Sequence, residues 1–411
     1  MFSIQNVFHF NFLKFVHSFN FKIMHLPIYL DNNAATPLDP RVLETMMPYL
    51  TNKFGNAASR SHIYGWTAEE AVTIARQQTA QLIGAQESEI IFTSGATESV
   101  NLALKGVFEV YQSKGRHIVT AATEHKAVLD TCKHLEKLGA EITYLPVSRD
   151  GLIDLQQLEN ALTDKTILTA IMYANNETGV IQPIKEISEI VHRHGSLFFS
   201  DGAQAVGKIP VDVQKDGIDI LSISGHKLYG PKGVGALYVR RRNPRVRIAA
   251  QIDGGGHEKG MRSGTLNVPG IAGLGKACEL CSIEMEAESQ RLSTLRDKLE
   301  NSLLGIEDTM VNGSRHSRLP HVTNMAFKGV SGEKLMIRMK DIALSSGSAC
   351  TSGSPEPSYV LKNLGLSDPD AYSSLRFGLG RFTTSEEIDY AIEQVKKTVK
   401  QERESNSHFD F

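Results

Sequence analysis

Residues Leu221–Gly235 read LSISGHKLYGPKGVG. An apolar, strand-like run (Ile218, Ile220, Leu221, Ile223) ends in Ser224 and Gly225 and then delivers His226 and Lys227. Gly230, Pro231 and Gly233 follow at once, residues that end regular structure and turn the chain. A lysine set just past a buried strand, in a turn too tight to let it wander, is partly desolvated. Desolvation lowers an ammonium's pKa, and a neutral amine can condense with an aldehyde. The stretch fits a Schiff-base lysine. By itself it fits a surface turn with an ordinary lysine better.

Outward from this stretch the same pattern repeats. Ser196–Ser200 reads as a strand and exits into Asp201-Gly202-Ala203-Gln204, and the almost wholly apolar Thr166–Tyr173 exits into Ala174-Asn175-Asn176-Glu177-Thr178-Gly179. Strands are also expected at Glu89–Thr93, His117–Ala121 and Glu141–Pro146, with helices at Ser99–Tyr111, Ala127–Leu138, Leu155–Leu162 and Ile184–His194 between them. Such βα alternation predicts an α/β, doubly wound and mostly parallel sheet. Ligands in such sheets bind outside the carboxyl ends of the strands. Asn176, Asp201, Gln204, Ser224, His226 and Lys227 all fall there. Asp201 follows Leu-Phe-Phe-Ser, which is poorly placed to reach water, so it needs a cationic partner; a protonated pyridine nitrogen would serve, and a helix cap or buried salt bridge fits it as well. Ser94-Gly95-Ala96-Thr97-Glu98 lies between strand and helix, where backbone N–H groups and the helix dipole can seat an anion such as phosphate, although one glycine is a weak signal.

Composition narrows the classes. The 411 residues suit a larger domain plus a smaller one, and 41% hydrophobic with 22% charged residues is ordinary for a globular chain. A net charge of −2 gives no electrostatic case for nucleic acid or an anionic membrane, and no apolar run is long enough to cross a bilayer. Four cysteines are too few for a disulfide framework, which points to a reducing, cytoplasmic setting. Residues 1–25, rich in Phe and Asn and free of Asp and Glu up to Ile23, are expected to be a disordered extension. Thr67 and Glu70 form a capping box expected to open a helix that Gly84 closes.

Beyond Arg262-Ser263-Gly264-Thr265 a long helical pattern runs from Ile271 to Leu303, with the domain junction placed near residue 285. This gives a cofactor-binding domain over 26–285, whose first residues pack with the smaller domain, and a C-terminal domain over 286–411. The latter is expected to hold strands Thr323–Phe327, Ile342–Ser346 and Ser374–Leu379, helix Gly332–Lys340, and a last helix opened by the capping box of Thr384 and Glu387. Cys278 and Cys281 form C-x-x-C on a helix with no second pair, which speaks against zinc and redox roles, and Cys132 reads as packing. Cys350 sits in the small-residue stretch Ser345–Pro355, where a thiol can be an exposed nucleophile or an idle linker residue.

Together SGHKLYGPKGVG, TEHKAV (Thr123–Val128), NNETG, SDGAQAVGK, GATE, GGGHEKGMRSGT and SSGSACTSGSPEPSYVL resemble the cysteine desulfurases, in the group with an extended cysteine loop. The likeness runs from about Leu26 to Lys400. It implies the pyridoxal-phosphate-dependent transferase fold of class V aminotransferase type: a large domain with a mainly parallel seven-stranded sheet, and a smaller α+β C-terminal domain. It also implies pyridoxal 5′-phosphate as cofactor, L-cysteine as substrate, L-alanine as product and a homodimer. Lys227 would hold the cofactor as a Schiff base and act as base at Cα, and His125 would stack on the ring and move protons. Asp201 would pair with the ring nitrogen, Gln204 would bond the phenolic oxygen, Asn176 would sit near that oxygen and the substrate, and Ala96, Thr97, Ser224 and His226 would hold the phosphate. Thr265 would join them from the neighbouring subunit. Arg376 would bind the substrate carboxylate, and Cys350 would accept sulfur as a persulfide, with no resident metal beyond a transient iron–sulfur contact there. Acceptor proteins such as an iron–sulfur scaffold, and possible tRNA thiolation, complete the expectation. A selenocysteine lyase or another class V aminotransferase is the alternative. The chain departs from scaffold-feeding members in ending Lys400-Gln-Glu-Arg-Glu-Ser-Asn-Ser-His-Phe-Asp-Phe411, which puts scaffold docking at that end in doubt.

Overall fold

The computed structural model describes residues 26–346 and 356–407, so the expected extension over 1–25 and Cys350 lie outside the described residues. β1 (Ile28–Tyr29) precedes helices α1 (Pro40–Thr51) and α2 (Ile63–Leu82). The alternating region runs β2 (Ile90–Thr93), α3 (Ala96–Tyr111), β3 (His117–Ala121), α4 (Lys126–Glu136), β4 (Glu141–Leu145), α5 (Leu155–Ala161), β5 (Thr166–Ala170), α6 (Ile184–Arg193), β6 (Leu197–Asp201), β7 (Ile220–Ser224) and β8 (Gly235–Val239). The long α7 (Val268–Leu304) leads to β9 (Thr309–Val311), β10 (Val322–Phe327), α8 (Gly332–Arg338) and β11 (Ile342–Ala343). Then come α9 (Tyr359–Asn363), α10 (Asp368–Tyr372), β12 (Ser374–Gly378) and α11 (Ser385–Ser407).

A seven-stranded sheet in the order β2-β8-β7-β6-β5-β3-β4 carries the site. The pairs from β7 to β4 are parallel, and β3, β5, β6 and β7 are buried along their whole length. Burial on both faces is why these strands read as continuous apolar runs. β8, which the sequence pattern did not single out, pairs antiparallel with both β7 and β2. The turn through Gly230, Pro231 and Gly233 is too short for a helical crossover, so the chain returns alongside β7 in the opposite sense.

Apolar clusters cover the two faces of this sheet, one including Phe198, Ile223 and Cys278, the other Val107, Phe199 and Leu237. A third cluster joins Ile28 and Leu30 to Leu299, Phe377 and Ile388, so the first strand packs with the C-terminal part. There β12-β10-β9 form an antiparallel sheet and β1 pairs with β11. The Thr384–Glu387 capping box forms: the Thr384 N–H donates to Glu387 Oε2 at 2.8 Å and the Glu387 N–H to Thr384 Oγ1 at 3.2 Å. The one expected at Thr67 does not. α2 begins a turn earlier, capped by His62, whose Nδ1 accepts the Gly65 N–H at 3.2 Å, so Thr67 lies inside the helix. Among the described residues no helix is long and apolar enough to cross a membrane.

Candidate active site

The carboxyl ends of β3, β5, β6 and β7 open onto a cavity of about 350 Å³, lined by Ala96, Thr97, His125, Asn176, Asp201, Gln204, Ser224, His226 and Lys227. His125 follows β3 and Asn176 follows β5, the neighbouring strands between which the chain order reverses, so the cavity sits at the switch point of the sheet. Asp201 and Ser224 are the last residues of their strands rather than residues just beyond them.

One end of the cavity is built for an anion. α3 starts at Ala96, a turn before the Ser99 expected from the pattern, because Gly95 adopts φ 149°, a conformation that side-chain-bearing residues rarely take. The first helical bond runs from the Ser99 N–H to the Gly95 carbonyl at 3.1 Å, so the N–H groups of Ala96, Thr97 and Glu98 have no acceptor among the described residues. Glu98 also lines this end. Burial pushes its carboxyl up, but Arg262, whose Nε donates at 2.9 Å, and the Ser94 N–H outweigh that and hold it below the usual value. Ser224 Oγ lies 3.1 Å from His226 Nδ1. Burial, with Lys227 and Lys232 adding to it, pulls His226 down to about 4, so the imidazole is neutral near pH 7.

The other walls supply directed polar groups. Asp201 Oδ1 accepts the Ser222 hydroxyl at 2.6 Å and the Ala203 N–H at 3.0 Å, while Oδ2 has no donor among the described residues. The Asn176 Oδ1 is buried with no hydrogen-bond partner among the described residues. An orphaned acceptor of that kind costs about 1–3 kcal/mol unless a ligand fills it. His125 caps α4 by accepting the Ala127 N–H on Nδ1 at 3.1 Å, which leaves its proton on Nε2. Burial lowers the pKa of this ring against the opposing pull of Asp201. Lys227 donates from Nζ to the carbonyls of Asn33 and, at 2.7 Å, Ala34.

Asn33 also lines the cavity and is not among the site residues named from the sequence; it stands in Asp31–Pro37, a polar turn after a short strand. Its carbonyl accepts Gln204 Nε2 at 3.0 Å, and its Nδ2 lies 3.4 Å from Gln204 Oε1. Arg376 does not line the cavity. It stands behind the wall, donating to the Asn176 carbonyl at 2.9 Å and to Asp31 Oδ1 at 2.6 Å. Thr265 is exposed and also lies off the cavity of its own chain.

An anion seat, an acidic oxygen facing away from protein donors and an amine within one cavity suit a small molecule carrying a phosphate, a basic nitrogen and a reactive carbonyl. The class-V aminotransferase profile matches residues 28–391. The chain belongs to the class-V aminotransferase family. It is 56% identical over 390 residues to the cysteine desulfurase IscS of Serratia proteamaculans, covering 94% of this chain and 96% of that protein. A solved NifS-like protein superposes with a TM-score of 0.85 at 36% identity, over 91% of this chain and 99% of that one. The structure of SspA in complex with cysteine matches with a TM-score of 0.77 at 38% identity, over 87% of this chain and all of that one (100%).

Proposed function

We propose that this protein is a cytoplasmic, pyridoxal 5′-phosphate-dependent cysteine desulfurase that converts L-cysteine to L-alanine and passes the sulfur to Cys350. The observation that carries the reading is the convergence on one cavity of the Lys227 amine, the unengaged N–H groups of α3 and the unengaged Oδ2 of Asp201. The buried, partnerless Asn176 Oδ1 supports it, since that acceptor requires a donor from a bound molecule.

Each group then has a role. The N–H groups of Ala96 and Thr97, with Ser224 and His226, hold the cofactor's phosphate. Asp201 Oδ2 holds the proton on the ring nitrogen, and Gln204 and Asn176 address the phenolic oxygen. When bound, the cofactor supplies an electron-withdrawing ring that stabilises negative charge at the substrate Cα. Lys227 would hold the cofactor and would serve as the base for the substrate Cα proton. His125, neutral with its proton on Nε2, would lie beside the cofactor ring and could carry protons. Arg376 exchanges its pairing with Asp31 for the substrate carboxylate. The Cys350 thiolate takes the sulfur as the C–S bond of cysteine breaks, giving a persulfide and L-alanine. Acceptor proteins, an iron–sulfur scaffold and the tRNA thiolation machinery among them, receive the sulfur.

Two organisational points belong to the same proposal. The chain divides near residue 285: α7 buries Cys278 and Cys281 in the cluster of the large sheet and Leu292 and Leu299 in the C-terminal cluster. The protein works as a homodimer, because Phe54, Ile63, Tyr64 and Trp66 are each at least half exposed near the start of α2, and a second copy covers them. The partner's Thr265 then completes the phosphate seat.

The test is direct. Incubation with L-cysteine should give L-alanine and add one sulfur to Cys350, and Cys350→Ser should abolish both. Cys278 and Cys281 should stay unmodified, since burial pushes both thiols up. Cysteine desulfuration that survives Cys350→Ser overturns the assignment.

A further inference from the structure

The anion end of the cavity also carries a carboxylate. Glu98 stands in the first turn of α3, lines the cavity beside Ala96 and Thr97, and is held in its charged form. An acid there suits the dipole of an empty helix end, but a bound phosphate uses the same dipole. The two negative groups then repel each other, the more so where water is excluded. Arg262 meets the carboxylate with two bonds, Nε to Oε1 at 2.9 Å and Nη2 to Oε2 at 3.4 Å. Both side chains are largely withdrawn from water, at 21% and 16% exposure. Among the described residues Arg262 is the cation paired with Glu98. The other ionisable groups near this end are His226, neutral near pH 7, and the exposed Lys232.

Arg262 lies 164 residues from Glu98 and is delivered by a strained stretch. Glu258 and Lys259, both with side chains, sit in the left-handed region at φ 46° and 60°. Such strain persists only where the surroundings enforce it, and it gathers at ligand sites. Here the enforcement is visible. The buried Glu258 pairs with Arg76 at 2.7 Å and accepts the Phe92 N–H at 2.8 Å, and Lys259 Nζ donates to the Ser88 carbonyl at 2.5 Å. These bonds fasten the stretch to β2 and the turn before it, and β2 is the strand that leads into the anion seat. They fix where Arg262 stands. The positive charge at Glu98 is supplied by Arg262 itself.

We propose that Arg262 is a positioning residue for the cofactor: it cancels the charge of Glu98 and turns that carboxylate aside, so that the seat at the start of α3 accepts a phosphate dianion. The inference rests on the reading that this seat holds the phosphate of pyridoxal 5′-phosphate. With Arg262 neutralised, Glu98 faces the phosphate as an uncompensated like charge, and affinity falls for ligands that carry the phosphate. A ligand with the same ring and carbonyl but no phosphate does not feel that charge. Removing the carboxylate as well takes the repulsion away.

The full chain, stripped of cofactor, is titrated with pyridoxal 5′-phosphate and separately with pyridoxal, and binding is read from the absorbance of the bound ligand. In Arg262→Gln the affinity for pyridoxal 5′-phosphate should fall about ten-fold or more, while that for pyridoxal stays within about two-fold. Arg262→Lys, which keeps the charge, should bind the phosphorylated ligand nearly as the wild type does. Arg262→Gln combined with Glu98→Gln should return to within about three-fold of the wild type, although it lacks the ion pair altogether. Undiminished affinity in Arg262→Gln overturns the proposal. So does equal loss of both ligands, or a double variant as weak as the single one, either of which marks a merely structural pair. Failure of the functional reading shows differently: the wild type itself then binds pyridoxal 5′-phosphate no better than pyridoxal.

Discussion

The carbonyl oxygen of Ala34 lies 2.7 Å from the Nζ of Lys227, residues 193 apart in the chain. The turn after β1 is fastened to the lysine turn by further bonds: the Thr36 N–H and hydroxyl both donate to the His226 carbonyl, and the Tyr229 N–H donates to Thr36 Oγ1. Tyr229 has φ 62°, so the turn holds a side-chain-bearing residue in the left-handed region and needs this outside support. The amine is aimed into the cavity by a scaffold that the side chain itself does not build.

Lys227→Ala should therefore leave the fold intact and abolish turnover. Its side chain contributes hydrogen bonds to two carbonyls but no part of the core. Unfolding followed by circular dichroism should match the wild type within about 1 kcal/mol. L-alanine formation should fall to background, and normal rates would refute the assignment of the tether and base.

Asp201→Asn separates charge from shape. The amide oxygen can still accept from Ser222 and Ala203, as Oδ1 does at 2.6 and 3.0 Å, but the negative charge that would face a bound cofactor's ring nitrogen is gone. Losing one preorganised electrostatic partner at a developing charge is worth about 10²–10³ in kcat. Cofactor content should change far less than kcat, and steady-state alanine formation alongside bound-cofactor absorbance checks both.

Much of this site is legible in the sequence, because a parallel strand buried on both faces announces itself as an apolar run, and its first polar residue marks the cavity edge. His117–Ala121 is found to the residue, and Asp201 and Ser224 lie within one position of where the runs end. What escapes is set by partners distant in the chain. Asn33 belongs to the site because its carbonyl meets Gln204 and Lys227, 171 and 194 residues away, partners that its polar turn does not reveal. Arg376 is buried in β12 behind Asn176, a depth that the run Ser374–Leu379 does not reveal. The start of α2 moved because a histidine ring nitrogen took the capping role more often filled by Ser, Thr or Asp.

The exposed apolar surface predicts the assembly. Phe54 is 69% exposed, and Tyr64 stacks beside it with ring centres 5.4 Å apart, an arrangement that suits a buried contact with a second copy. Sedimentation should give twice the 45.2 kDa of one chain. Phe54→Glu with Tyr64→Glu should shift the mass toward one chain and, if the proposed Thr265 contact from the partner is made, weaken cofactor retention. A wild-type monomer with full activity would refute both statements.

The last prediction concerns Glu177 and pH. In the folded chain burial lifts its carboxyl to about 7, whereas in the unfolded chain it titrates near its ordinary value of 4.5. Between these values the folded state binds the extra proton. Stability from this group is therefore complete below about 4.5 and is lost as pH rises through about 7. Glu177→Gln removes the titration while keeping the volume and an oxygen that can accept from Ser358. The buried histidines pull the other way: burial holds His321 well below its usual value and lowers His226, so both disfavour the folded state as pH falls below about 6.5. Their effect is common to wild type and variant and cancels in the difference. Denaturant unfolding at pH 4.5 and pH 8 should show Glu177→Gln gaining on the wild type by about 3 kcal/mol across that range. A difference that stays flat with pH would mean that Glu177 keeps an ordinary carboxyl pKa in the folded chain.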